Sequence, residues 1–292
     1  MIISFSLLIR RETLKVLSVL LSNNDECKED IRENGMLKHL VKIIENYPSD
    51  DVRIEVLNSA LITLSHSVTQ NPNNQIYLNS TIGLEGLSKQ FSKFVKAFTS
   101  ATALEIFEDQ KNVTETFTSA FHNLCLTLQN LCFGNEQNQI SLLKTGVLSE
   151  CVKLLNFVKT YSPNISEETI SDLLNVLVNS SDTNTEVQDY FSITSYTELI
   201  SYFLSHIELK VCGFSALWLS HLVFNSKNAQ QIFGIDEIIQ KLLKLADFAL
   251  NQDSIDFPQH QGLENSFYSL LALINLSYQQ TSIQVSIFNI SF

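Results

Sequence analysis

At 292 residues, 45% of them hydrophobic and only 17% charged, the chain has ample apolar material for a core but exceeds what one compact core usually holds. A net charge of −12, from 19 Lys and Arg against 31 Asp and Glu, repels phosphate backbones and anionic lipid surfaces, so neither nucleic acid nor a membrane is expected as a partner. No uninterrupted apolar run reaches the ~18 residues that cross a bilayer, and the start "MIISFSLLIRR" carries its basic residues after the apolar run rather than before it, unlike a signal peptide.

In chain order, residues 1–22 read as one long apolar helix, which runs into the polar corner "SNNDECKED". A short amphipathic piece follows, then Gly35, then the amphipathic "MLKHLVKII". The same order recurs in "LSHSVTQNPNNQIYLNSTIGLEGLSKQF" from Leu64 and in "LQNLCFGNEQNQISLLKTGVLSECVKLL" from Leu128. It returns around "LVNSSDTNTEVQDYF" from Leu177, "LSHLVFNSKNAQQIFGIDEIIQKLLKL" from Leu219 and "LINLSYQQTSIQVSIF" from Leu273. Apolar anchors after the corners fall at Ile31, Ile76, Ile140, Val187, Ile232 and Val285. Three of the spacings lie near the ~40 to 47 residues of helical solenoid repeats, and the two longer ones correspond to one period plus an insertion.

Each unit is predicted to contain three helices. A short first helix carries the anchor and ends at Gly35, Gly83 or Gly146, which supply the left-handed residue a helix end favours. The second buries one face, as in Val147, Leu148, Cys151, Leu154, Leu155 and Val158. The third, as in "AFHNLCLTLQNLCF", is apolar on most sides and forms the spine. Pro48 and Ser49, then Pro163, Ser166, Glu167 and Glu168, sit where helix N-termini favour them. Strand alternation bounded by hairpin turns is absent over any useful length.

The patterns after "LQNLCF" and from Ala216, "ALWLSHLVFNSKNAQQIFGIDEIIQKLLKLA", resemble the armadillo repeat over nearly the whole chain. The expected fold is all-α, a right-handed superhelical solenoid of about five whole three-helix repeats. Residues 1–22 are a leading third helix; 23–70, 71–134, 135–180, 181–226 and 227–280 are the repeats; 281–292 are a trailing first helix. Within this superfamily, "LLNVLVNSSDTNTEVQDYF" and "LISYFLSHIELKVCGFSALWLSHL" have a fainter resemblance to the cytoplasmic ataxin-ten family.

What the armadillo resemblance implies is binding of an extended peptide by polar residues on the concave faces of the third helices. Counting back from the anchors gives His66, Asn130, His221 and Asn275, with Asn175 in the fourth unit. One turn earlier, where armadillo proteins usually have Trp, stand Ile62, Leu126, Leu217 and Leu271; the single tryptophan, Trp218, stands three residues before His221 and joins the groove candidates. That departure weighs against recognition of basic localisation signals. The polar groups could equally serve to satisfy backbone groups of the stack.

Chemistry is not indicated. The eight glycines form neither GxGxxG nor GxxxxGK[ST], and G-x-S-x-G and HExxH are missing. None of the six histidines pairs with another at metal-ligand spacing on one helix, and Cys125 and Cys132 lie two turns apart as buried small side chains. No catalytic, cofactor or metal site is expected. Five scattered cysteines without CxxC pairs fit a reducing cytosol, and the N-x-S/T triplets at Asn79, Asn112, Asn164, Asn179, Asn275 and Asn289 read as chance in an Asn- and Ser-rich chain. The insertions 97–116 and 251–264 read as solvated loops, and Lys89, Lys93 and Lys96 as a solvated basic stripe.

The sequence thus points to a non-enzymatic protein-binding scaffold in the cytoplasm. A transport adaptor for basic peptides and an exchange or release factor for a nucleotide-binding partner are the alternatives. The apolar ends "MIISFSLLI" and "VSIFNISF" lack the polar outer face of a capping repeat and predict self-association.

Overall fold

The polar corners fold through one recurring device. After each third helix a single residue takes a left-handed conformation, at Gln70, Gly134, Thr183, Asn225 and Gln279, with φ between 54° and 64°. The next residue or the one after it then opens the following helix. Asn71 accepts from the backbone N–H of Asn74, Asn135 from Asn138, Asn184 from Val187 and Ser226 from Ala229, at 2.9 to 3.2 Å. Asn24 does the same for Cys27 at 3.0 Å. Each bond satisfies one of the four donors a helix start leaves orphaned, which explains why the corners are rich in Asn.

The protein, seen in a computed structural model, is described over residues 2–47, 53–80, 83–100, 111–161, 165–193, 196–250 and 259–291. Among these every regular element is a helix, and none is long and apolar enough to cross a membrane. The described residues form two compact units, Met1–Phe157 and Val158–Phe292.

Unit 1 holds α1 (Ile2–Leu21), α2 (Asp25–Glu33), α3 (Met36–Asn46), α4 (Ile54–Val68), α5 (Pro72–Ser80), α6 (Gly83–Thr99), α7 (Lys111–Cys132) and α8 (Glu136–Lys144). The division falls within α9 (Val147–Tyr161). The third helices α1, α4 and α7 pack on one another in that order. Leu57, Leu61 and Leu64 of α4 and Leu124, Leu128 and Leu131 of α7 are fully buried, and each such side chain contributes about 1.5–3 kcal/mol. Between α6 and α7 the rings of Phe94 and Phe117, and of Phe98 and Phe121, lie 4.8 and 5.0 Å apart.

Unit 2 holds α10 (Glu167–Ser181), α11 (Thr185–Ile193), α12 (Thr197–Phe203), α13 (Leu209–Val223), α14 (Lys227–Phe233), α15 (Asp236–Leu250), α16 (Gln259–Ser277) and α17 (Thr281–Ser291). Here α10, α13 and α16 form the corresponding stack. Ser166 caps α10 as expected, accepting from the N–H of Thr169 at 3.2 Å, while Pro48, Ser49 and Pro163 lie outside the described residues.

Three sequence expectations need correction. Two of the anchors, Ile31 and Val187, are buried, but Ile76 is 58% exposed and Val285 52%, and Leu78, Leu142, Phe191 and Phe233 are fully buried in their first helices. Gly35 and Gly146 are left-handed, at φ 70° and 83°, but Gly83 is not; it opens α6, where an added Cβ would come within 2.7 Å of the Leu78 carbonyl. Finally, the insertions are partly helical. Residues 97–99 belong to α6, 111–116 to α7 and 259–264 to α16, with 101–110 and 251–258 outside the described residues.

The lysine stripe on α6 is engaged. Lys89 pairs with Glu45 at 2.7 Å, and this carboxylate raises the lysine's pKa. Lys93 donates to the backbone carbonyl of the same residue at 2.9 Å. Both hold α6 against the C-terminal turn of α3, where a cation is favoured.

Candidate functional site

Half-buried polar side chains stand on the third helices at the predicted places, and each reaches back to the third helix before it. In unit 1, His66 on α4 sets Nδ1 at 3.0 Å from the Ser18 carbonyl of α1 and 3.1 Å from the same residue's hydroxyl. A carbonyl can only accept, so Nδ1 carries the proton. Asn130 on α7 donates through Nδ2 to the hydroxyls of Ser65 and Thr69 on α4, at 3.0 and 2.9 Å.

Unit 2 repeats the arrangement. His221 on α13 donates from Nδ1 to the Val178 carbonyl of α10 at 3.1 Å, and Asn275 on α16 donates to the Ser220 carbonyl of α13 at 3.0 Å. In all four the inward donor is committed to the stack. What is left is the outer atom, Nε2 of each imidazole and Oδ1 of each amide, without a partner among the described residues. Each is an acceptor, given neutral imidazoles. One turn earlier Ile62, Leu126, Leu217 and Leu271 are partly exposed, so apolar and polar positions alternate along each helix.

Two of the sequence candidates move. Asn179, rather than Asn175, occupies the equivalent register in α10, and its amide donates to the Asn175 carbonyl at 2.9 Å. Trp218 is fully buried, edge-on to Phe191 at 5.3 Å between ring centroids, and offers no surface to a partner. Three residues before His221 it lies only ~60° round α13, and packing rather than register encloses it.

The residues that sequence reasoning missed are the glutamines of the first helices. Gln75 donates through Nε2 to the Val68 carbonyl that closes α4, at 3.4 Å, and to the Asn130 carbonyl of α7 at 2.8 Å. Gln230 does the same to Val223 and Asn275, at 3.2 and 2.8 Å, and Gln188 to Ser181 and His221, at 3.2 and 2.9 Å. The acceptor ends are also used, Gln75 by Asn135 at 3.5 Å and Gln230 by Gln280 at 3.1 Å. The backbone carbonyls of Asn130, His221 and Asn275 are thereby pinned from below. A Gln at constant spacing after His66, Asn130, Asn179, His221 and Asn275 was the available signal, and it sets the register better than the apolar anchors do.

Among the described residues no group of three His, Cys, Asp or Glu side chains could hold a metal ion. The thiols of Cys125, Cys132, Cys151 and Cys212 are buried; burial raises the pKa of Cys151 and pushes that of Cys212 up to about 11, which keeps both protonated and unreactive.

Three-helix units stacked through their third helices, with Asn-capped corners, decide the architecture. The fold is that of armadillo repeats. A designed armadillo repeat protein superposes with a TM-score of 0.65 over 91% of this chain and 92% of its own, at 20% sequence identity. A second design, solved in complex with the peptide (KR)4, matches at 0.65 and 18% identity, over 89% of this chain and 91% of that one. A third, computationally designed for modular peptide recognition, matches at 0.62 and 19% identity, over 89% and 92%. No protein-family model matches the chain, and no curated protein matches it in sequence. These armadillo neighbours do not bear on the likeness to the ataxin-ten family.

Proposed function

We propose that the chain is a non-enzymatic scaffold whose third-helix faces hold an extended segment of another protein. The observation that carries this reading is the split use of each polar side chain, with its donor spent inward on the stack and an acceptor left outward. A row of such acceptors matches the N–H groups that an extended segment leaves unpaired, and the partly exposed Ile62, Leu126, Leu217 and Leu271 give its apolar side chains a place to rest. Designed proteins of the same fold that recognise peptides support it by analogy of architecture.

The partner segment is expected to be mixed apolar and polar rather than basic. Aliphatic side chains stand where aromatic walls for Lys and Arg stems would be needed, and the single Trp is buried. The cytoplasm remains the expected compartment, since four of the five cysteines are buried free thiols.

The test selects linear peptides against the full chain from a display library and then N-methylates their backbone one residue at a time. Affinity should fall tenfold or more at several positions. Changing Asn130 and Asn275 together to Ala should weaken binding by about 1 to 3 kcal/mol. A flat N-methyl scan, with affinity unchanged in that folded double variant, would move the binding surface elsewhere.

A second contact, with another copy of this chain, is favoured by two exposed apolar rows. Leu8, Ile9, Val16, Val19 and Leu20 lie on α1, and Leu263, Phe267, Leu270, Ile274 and Tyr278 on α16. Sedimentation should show concentration-dependent association that Phe267→Glu with Ile274→Glu abolishes; a monomer at all concentrations removes this contact.

A further inference from the structure

Stacked third helices meet through two faces, a rear face that reaches back and a front face that receives. At the rear of α4, Thr63 and His66 donate to the front carbonyls of Leu14 and Ser18 on α1, at 3.0 Å each. Thr127 of α7 donates to the Leu61 carbonyl of α4 at 3.3 Å, and Asn275 of α16 to the Ser220 carbonyl of α13 at 3.0 Å. In the same register, α1 presents Val16 and Val19 at its rear, and α16 presents Leu270 and Ile274 at its front. Where a neighbouring third helix is packed these places are closed: Leu61, Thr63, Ala216 and Ser220 are fully buried. On α1 and α16 they are open, Val16 at 61%, Val19 at 73%, Leu270 at 45% and Ile274 at 62% exposure. The open rear and the open front are both hydrocarbon, so joining them strands no donor or acceptor.

A polar group marks the same interface. Gln75, Gln188 and Gln230 each divide Nε2 between the carbonyl seven residues back and a carbonyl of the next third helix, at Asn130, His221 and Asn275. Gln284 of α17 holds the equivalent place, is exposed, and makes the first of these bonds, to the Ser277 carbonyl at 3.0 Å. Its second N–H has no acceptor among the described residues. The position of α1 that answers to Asn130, His221 and Asn275 is Val19, whose carbonyl accepts the Ser22 hydroxyl at 3.0 Å and keeps a second lone pair. Charge sets the direction. Helix α1 carries Arg10, Arg11 and Lys15 beside Glu12, whereas the one carboxylate of α16 is Glu264, so two α1 helices repel and α1 against α16 does not.

Building on the contact between copies proposed above, we infer that copies stack front to rear, the front of α16 in one taking the rear of α1 in the next. Val16 packs on Leu270 and Val19 on Ile274, and Gln284 donates to the Val19 carbonyl, which repeats between copies the register that joins third helices within each unit. Such a contact is heterologous: a dimer keeps one open face of each kind, so growth continues past two copies.

Sedimentation of the full chain and of two blocked variants tests this. The parent should associate beyond the dimer as concentration rises. Val16→Glu with Val19→Glu, and separately Phe267→Glu with Ile274→Glu, should each be monomeric, with helix content unchanged because the substituted side chains are exposed. Mixed, the two variants should form a 1:1 dimer and stop there, each supplying its one intact face. Gln284→Ala in the variant blocked on α1 should weaken that dimer at least threefold, whereas Ile207→Glu, exposed outside both rows, should leave it unchanged. If a double variant fails to fold, Val19→Glu and Ile274→Glu alone supply the same reading with smaller losses. Association of either blocked variant by itself would show that like faces pair, which overturns the front-to-rear stack and leaves the contact between copies standing. A parent that stays monomeric at every concentration would remove both.

Discussion

Asn138 in unit 1 and Ala229 in unit 2 hold the same place in their repeats, one residue before the stacking glutamine, and are seated by different physics. Asn138 is fully buried and donates to the Leu131 carbonyl at 2.7 Å and back to the Gln75 carbonyl at 3.3 Å. Asn74, its counterpart one repeat earlier, donates to Ser67 and Lys28 at 2.8 and 2.9 Å. In unit 2 the corresponding residues are Val187, Ala229 and Ile283, all buried hydrocarbon. At this position unit 1 therefore ties its short helices backward by amide bonds, whereas unit 2 seats them by apolar contact. The asparagines are not fully satisfied, since Oδ1 of both Asn74 and Asn138 is buried without a partner among the described residues. One repeat geometry thus accepts either a polar or an apolar seat, and at the first corner buried Lys28, donating to the Thr69 carbonyl at 3.0 Å, takes the place of the glutamine.

The largest expected effect lies where the units do not differ. Leu131 and Leu222 are both fully buried on third helices, and Leu131→Asp or Leu222→Asp would place an unpaired charge in a spine at a cost of several kcal/mol. Denaturant unfolding should lose its cooperative transition in either variant. Parent-like stability would contradict the role given to the third helices.

Next come substitutions aimed at the difference itself. Gln230→Leu removes two backbone bonds and the acceptor of Gln280 from unit 2, where the neighbouring seat is apolar, and should cost about 1–3 kcal/mol. Asn138→Val converts a unit 1 corner to the unit 2 kind, and should cost only ~1 kcal/mol because it also removes the unpaired Oδ1. Chemical denaturation of the two variants measures this order; the reverse order would break the comparison.

Much of this was legible in the sequence, and the limits have physical causes. Asn and Gly at the corners report a local need, a capped helix start and a left-handed turn, so "GNEQN" and "KTG" mark boundaries on their own. Third helices are visible because they are apolar on most sides. The direction of a side chain on a short helix is not local. Ile76 and Leu78 are equally apolar, and only packing against neighbouring helices decides which one is buried. Asn179 was missed for the same reason, and Trp218 was assigned to a surface by its residue type when packing encloses it.

Thiol chemistry gives a separate reading for each unit. Cys27 is partly exposed, Cys151 lies buried in unit 1 and Cys212 in unit 2, the last two with pKa values raised by burial. A thiol reagent at pH 8 should modify Cys27 first, and the other two only as their units open. If unit 2 is the less tied, Cys212 reacts before Cys151. Immediate labelling of Cys151 would show that the unit 1 core is open.

The smallest effect belongs to a pair of carboxyls in unit 2. A hydrogen bond from the neighbouring Glu208 carboxyl, with burial as a lesser cause, raises the pKa of Glu167. Folding therefore disfavours the ionised form, so the penalty is absent at low pH and appears as pH rises through the carboxylate range. Glu208→Gln should raise the melting temperature slightly at pH 7 and leave it unchanged near pH 3; the pair is almost fully exposed, so screening keeps the gain small. Equal shifts at both pH values would assign the effect to something other than this pair.

The central claim is that third-helix faces hold a partner segment, and hydrogen exchange on the full chain with and without a selected linear peptide tests it most directly. Protection is expected in the third helices of at least one unit, over the turns that hold His66 and Asn130 or those that hold His221 and Asn275. Protection confined to the second helices α6, α9 and α15, with those third-helix turns exchanging as in the free chain, would contradict it.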